Sequence, residues 1–144
     1  MNSRKGFTLI ELLAVIVILA IIALIATPTI LGVIDKARKG SAESSALGYI
    51  DAVEKQIMID MVETTSSERL IITSEDGTMP TDVTLPVSSL NVKGEAPTAG
   101  TLKLDSNGSV TSGSCMVISA SGVSYKVTYD GKKATAVKGT SCTE

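Results

Sequence analysis

From Leu12 to Ala26 every residue is apolar, and between Phe7 and Thr27 only Thr8, Glu11 and Thr27 break the run. A stretch of that kind must be covered by lipid or by other protein. At about 1.5 Å of rise per residue, residues 7–28 make a helix of roughly 30 Å, the thickness of a bilayer's hydrocarbon core. Arg4 and Lys5 precede it, so the positive-inside bias keeps the amino end cytoplasmic and sends the chain beyond Pro28 to the outer side.

Glu11 is the anomaly of this segment. A carboxylate in a lipid-embedded helix costs up to about 2.5–3.5 kcal/mol, less near an interface, and such groups usually have a partner and a function. The span itself holds no cation. A cut between Gly6 and Phe7 would create one, because the new α-amino group at Phe7 lies one helical turn from Glu11. The amine of a neighbouring copy would serve equally. A secretory signal peptide cut near Ala26 is an alternative, but Glu11 then falls inside the apolar core and the run exceeds the usual length of about 7–15 residues. A plain signal anchor accepts the length and leaves Glu11 unexplained.

The basic leader ending in Gly6, followed by Phe7-Thr8-Leu9-Ile10-Glu11 and an apolar run closing at Pro28, resembles the class III signal of type IV prepilins and pseudopilins, most nearly a type IVa major pilin. The resemblance covers about the first fifty residues. It implies cleavage after Gly6, N-methylation of Phe7, an assembly role for Glu11 and a helix-weakening role for Pro28. It also implies an aspartic prepilin peptidase, a hexameric assembly ATPase, a polytopic platform protein and a helical homopolymer.

Composition narrows the other possibilities. The chain has 144 residues, enough for one soluble domain beyond the anchor. Losing Arg4 and Lys5 with the leader takes Lys+Arg from 13 to 11 against 15 Asp+Glu, about −4, so there is no basic footprint for direct contact with nucleic acid. Histidine is absent, which removes Ser-His and Cys-His nucleophile pairs and histidine metal ligands. No catalytic motif, cofactor-binding motif or metal-ligand set is expected. The two cysteines, Cys115 and Cys142, form an even pair on the exported side and read as a disulfide. Two buried free thiols or a redox pair are the alternatives.

Beyond the anchor, Pro28 lacks an N–H and crowds the preceding turn, so a kink or local melting is expected there, with Gly32 a second soft point. Helix resumes over residues 29–62. Ala46, Ile50, Val53, Ile57 and Met61 recur at helical spacing, with Asp51, Glu54, Lys55 and Asp60 as the polar remainder. This stripe, joined by Leu47, is expected to lie on a sheet. The charged segment 35–39 suits either a solvated helix or a contact between subunits.

Residues 63–100 read as a variable, loop-dominated connection: 64–67 end the helix, Leu70 to Thr73 suggest a short strand, and Asp76-Gly77, Pro80, Pro86 and Pro97 punctuate the remainder. Its Ser and Thr hydroxyls are open to glycosylation. Residues 101–144 form the clearest β region, an antiparallel sheet with a disulfide-bounded end. Strands are expected at 101–104, 109–111, 115–119, 123–129 and 133–138, with turns at 105–108, 120–122 and 130–131. Val123, Tyr125, Val127 and Tyr129 share the face that should meet the helix. Asp105, Asn107 and Asp130 fit turns better than a calcium loop, because the full ligand spacing is missing.

The expected fold is therefore α+β: a long N-terminal helix, half membrane anchor and half core, packed on a C-terminal antiparallel sheet. The expected work is that of a structural filament subunit, stored in the cytoplasmic membrane and then displayed on the cell surface. Alternatives are a pseudopilin of a secretion or competence system and a minor tip subunit acting as an adhesin.

Overall fold

The computed structural model of the chain describes residues 6–63, 68–74, 76 and 78–143. Leader residues 1–5, the helix-ending residues 64–67 and Gly77 of the expected turn lie outside them. Helix α1 runs Leu9–Val62 and is followed by β1 Asp82–Leu85, β2 Pro97–Lys103, β3 Ser114–Ala120, β4 Val123–Tyr129 and β5 Ala134–Lys138. The strands make one antiparallel sheet in the order β1-β2-β3-β4-β5, so the class is α+β as expected. The chain divides into two compact units, Met1–Ala37 and Arg38–Glu144.

In the first unit the helix carries straight through Pro28 in its hydrogen-bonding class, and the expectation of local melting there is corrected. Thr27 Oγ1 donates to Ala23 O at 2.6 Å, one residue before the proline. A break would orphan several more N–H and C=O groups at each new helix end, whereas the proline costs about 3 kcal/mol. In an apolar surrounding the unbroken helix is the cheaper state.

The second unit is built on the half of α1 beyond Ala37. Its buried positions are Ala42, Ser45, Ala46, Tyr49, Ile50, Val53, Ile57 and Asp60, and the apolar ones share one core with Leu102, Met116, Ile118, Tyr125, Val127 and Ala136 of the sheet. Burying each large apolar side chain contributes about 1.5–3 kcal/mol. Two expected core residues are corrected: Leu47 is 42% exposed and Met61 51% exposed. At 3.6 residues per turn a stripe cannot step by four indefinitely, so after Ile57 the buried position is Asp60. On β4, Tyr125 and Val127 are buried, and Val123 and Tyr129 pack partly against the same core.

The loop expected over 63–100 contains more structure than its composition suggests. β1 lies wholly inside it and β2 begins at Pro97. β1 has only four residues, and the first half of β2, Pro97 to Gly100, holds almost no apolar signal. Gly100 adopts φ +136, and a Cβ there would run into the backbone of Cys115 and Met116 on β3; the close strand approach requires glycine. Leu70 to Thr73 do not form the expected strand. The N–H groups of Leu70, Ile71 and Ile72 turn instead to the Asp60 carboxylate, at 3.2, 2.6 and 2.9 Å.

Asp60 belongs to a series. Glu43 Oε1 accepts from Ala136 N at 3.0 Å, Ser45 Oγ from Glu95 N at 3.3 Å, Tyr49 OH from Val87 N at 2.8 Å and Glu54 Oε1 from Val110 N at 2.8 Å. One helix thus accepts main-chain N–H groups from β5 and from each long connection. These side chains tie the connections and β5 to the helix through main-chain donors, and the two tyrosines of the core make a test. Tyr49→Phe strands a main-chain donor and should cost about 1–2 kcal/mol. Tyr125 OH is buried with no hydrogen-bond partner among the described residues, so Tyr125→Phe should be neutral or raise stability. Thermal unfolding of the full chain in mild detergent separates the two, and an equal loss from both would count against the assignment.

Cys115 on β3 and Cys142 beyond β5 are joined, with Cα atoms 5.8 Å apart and 27 residues of separation; the free-thiol and redox alternatives are set aside. A loop of that length is stabilised by about 3.5 kcal/mol in the chain-entropy view, before native strain. Cys142→Ser is therefore expected to lower the thermal midpoint of the sheet domain and leave membrane retention unchanged, measured on the full chain before and after reductant.

Candidate assembly site

The amino-terminal unit carries the residues singled out by sequence. Phe7 is 92% exposed, and Gly6 has open space where a side chain would stand. The expected cleavage position is thus uncrowded among the described residues. α1 is the one helix long and apolar enough to cross a membrane among the described residues, and none of its most apolar window is buried.

Thr8 is the residue before the first turn, and Glu11 is the third residue of the helix. Glu11 Oε2 accepts from both Thr8 N at 2.8 Å and Thr8 Oγ1 at 2.7 Å, while Glu11 N donates to Thr8 Oγ1 at 3.3 Å. This is a capping box, in which side chains satisfy N–H groups that the first turn leaves without carbonyl partners. The negative charge also sits at the positive end of the helix dipole. The Thr-x-x-Glu spacing before an apolar run is the sequence mark of such a box, so Glu11 has a partner in its own chain that charge arguments alone do not find. Both Thr8 donors fall on Oε2.

The carboxylate and cysteine candidates of the sheet region belong to the second unit. Asp105 Oδ1 accepts from Asn107 N and Ser109 N, both at 2.9 Å, and Asp130 Oδ1 from Lys132 N and Lys133 N at 2.9 and 2.7 Å. Each carboxylate closes its own hairpin turn. The N–H groups of Lys133 and Lys132 hold the Asp130 carboxyl below its ordinary value. The disulfide lies in the second unit, on the sheet.

Comparison with known proteins meets this geometry at the same residues. Residues 1–27 match the family model of the prokaryotic N-terminal methylation motif. The chain is similar to the type IV wide pilus major component PilA4 of Thermus thermophilus, at 37% identity over 103 residues, which cover 69% of this chain and 76% of the relative. No solved structure matches it. With an opening helix of the methylation-motif type, an α+β domain behind it and a relative matched across three quarters of its length, the chain belongs to the type IV pilin family.

Proposed function

We propose that the chain is the repeating structural subunit of a type IV pilus, with Gly6–Phe7 as the processing site, Phe7 as the methylated terminus and Glu11 as the assembly carboxylate. The observation that carries this reading is the apolar first part of α1, none of it buried, opening on a capped glutamate. Lipid covers that helix in the stored precursor, and neighbouring helices replace the lipid in the fibre core, so assembly is ordered burial. Glu11 Oε2 is held by Thr8, and the carboxylate meets the Phe7 amine of an adjoining copy through its other oxygen. Pro28 is the turn at which the helix can unwind during that transfer, since it contributes no N–H.

The partners follow from the same scheme: a prepilin peptidase, an assembly ATPase and a platform protein in the cytoplasmic membrane, and further copies in the extracellular filament. The relative is a major pilus component by name, which favours a major pilin over a pseudopilin or a minor tip adhesin. Adhesion, motility and DNA uptake are the activities such a fibre supports. The test is imaging of sheared surface filaments with terminal sequencing of their subunit. An abundant fibre whose chain begins at N-methylated Phe7 is expected; a start at Met1 or near Thr27, or a fibre without this chain, would overturn the reading.

A further inference from the structure

Asparagine occurs at positions 2, 91 and 107, and Asn107 alone is followed two residues on by a serine or threonine, in Asn107-Gly108-Ser109. That spacing, with any residue but proline between, is the acceptor triplet for N-linked saccharide on exported surface loops. A triplet can serve only where both of its polar side chains are presented. Asp105 N donates to Ser109 O at 3.0 Å and Gly108 N to Asp105 O at 3.1 Å, while Asp105 Oδ1 accepts from Asn107 N and Ser109 N, both at 2.9 Å. The main-chain donors of all three triplet residues are thus satisfied inside the turn. Its outer side chains are not used: neither the Asn107 amide nor the Ser109 hydroxyl has a hydrogen-bond partner among the described residues, and both residues are exposed.

The residue between them faces the fold. Gly108 is buried with φ +82, and a Cβ there would stand 2.6 Å from Ile57 Cγ2 on α1 and 3.2 Å from Met79 Cε. The turn is therefore seated through its glycine, with an exposed acceptor on one side and an exposed hydroxyl on the other. An amide nitrogen shares its lone pair with its carbonyl and is a weak nucleophile, so an acceptor that had first to leave a hydrogen bond would be poorer still. Asn107 has no such bond to break. Asn91 supplies the contrast, exposed in the same domain but followed by Val92-Lys93.

We propose that Asn107 is an N-glycosylation site, whose donor is a saccharide carried on a polyprenyl diphosphate at the outer face of the cytoplasmic membrane. This rests on the extracytoplasmic placement of the domain proposed above. In the transfer, Asn107 Nδ2 bonds to C1 of the first sugar as the bond from C1 to the diphosphate oxygen breaks; Nδ2 gives up one proton and the polyprenyl diphosphate leaves. The Ser109 hydroxyl is the group by which a transferase holds the triplet. Because the Asn107 side chain has no hydrogen bond to lose, the modified chain keeps its turn, and the saccharide adds a bulky, hydrated group to the exported surface.

The test uses the chain purified from its native cells, reduced and cut with trypsin. Two peptides are read by mass spectrometry: the amino-terminal one, and residues 104–126, in which Asn107 is the one asparagine. An excess of whole sugar residues is expected on 104–126 in most copies, with fragment ions placing it on Asn107 and with Asn91 unmodified. Asn107→Gln and Ser109→Ala should each abolish the excess, and Ser109→Thr should keep it. An unmodified Asn107 overturns the proposal. So does a sugar that survives Asn107→Gln, which would then sit on a hydroxyl of the same peptide. The amino-terminal peptide keeps this result apart from the filament reading: a bare Asn107 in a chain that begins at Phe7 sinks the glycosylation site alone, whereas a glycosylated Asn107 in a chain that begins at Met1 upholds the site and sinks the processing scheme.

Discussion

Asp60→Ala is expected to destabilise the sheet domain more than any other single polar substitution, by about 3–4 kcal/mol. The carboxylate is fully buried, and it accepts from Leu70 N, Ile71 N, Ile72 N and Gln56 Nε2. Three successive N–H groups wrapped on one anion form a nest, and removing the anion leaves the donors of Ile71 and Ile72 in the protein interior. On a domain of this size the loss corresponds to a fall in the thermal midpoint on the order of 15–20 °C. Asp60→Asn keeps one acceptor and brings an NH₂ against the nest, so it should recover only part of the loss. The pH dependence has a fixed sign. Burial pushes the Asp60 carboxyl up, but the bonds from Gln56, Ile72, Ile71 and Leu70 together outweigh it and hold it below its ordinary value of 3.8. A depressed carboxyl stabilises the fold fully above the unfolded value, and that stabilisation is lost as pH falls through the folded one. The wild type should therefore lose stability below pH 3.8 more steeply than Asp60→Asn. Parallel acid limbs in the two proteins would count against the nest, as would a midpoint for Asp60→Ala within a few degrees of wild type.

What the sequence discloses about this chain tracks how much of each element is encoded by neighbours in sequence. The apolar helix, the alternating β4 strand and the turns at Asp105 and Asp130 are local patterns, and each appears where periodicity or turn chemistry puts it. β1 and the first half of β2 are not local. Asp82 to Leu85 become a strand because Leu102 and Gly100 lie opposite them, and Pro97 to Gly100 because β3 approaches closely enough to demand a glycine. The segment Leu70 to Thr73 has the composition of a strand, yet a single buried carboxylate ten residues upstream takes its donors. An aspartate on the flank of an apolar stripe looks solvated until the segment that it captures is known. At the amino end the reverse holds: Thr8 and Glu11 form a local motif, legible from spacing alone, that the conspicuous charge conceals.

That motif sharpens the result expected from Glu11. Glu11→Ala removes two things together, the charge and the half of the capping box that accepts from Thr8. Glu11→Gln separates them, because its amide oxygen can still accept from Thr8 N and Thr8 Oγ1, which lie at 2.8 and 2.7 Å from the present carboxylate oxygen, while the charge is gone. If the carboxylate sets axial register by attracting the amine of an adjoining Phe7, both variants lose that attraction in a surrounding with few other polar contacts. Both should be cleaved after Gly6 and retained in the membrane at least as well as wild type, since the anchor becomes no more polar. Both should yield few or no filaments when expressed as the sole subunit, a fall of at least roughly tenfold in sheared fibre relative to processed protein. Coexpression with wild type should restore partial incorporation. Normal assembly of Glu11→Gln beside failed assembly of Glu11→Ala would assign the residue to capping its own helix, and normal assembly of both would leave residues 7–28 as an ordinary anchor.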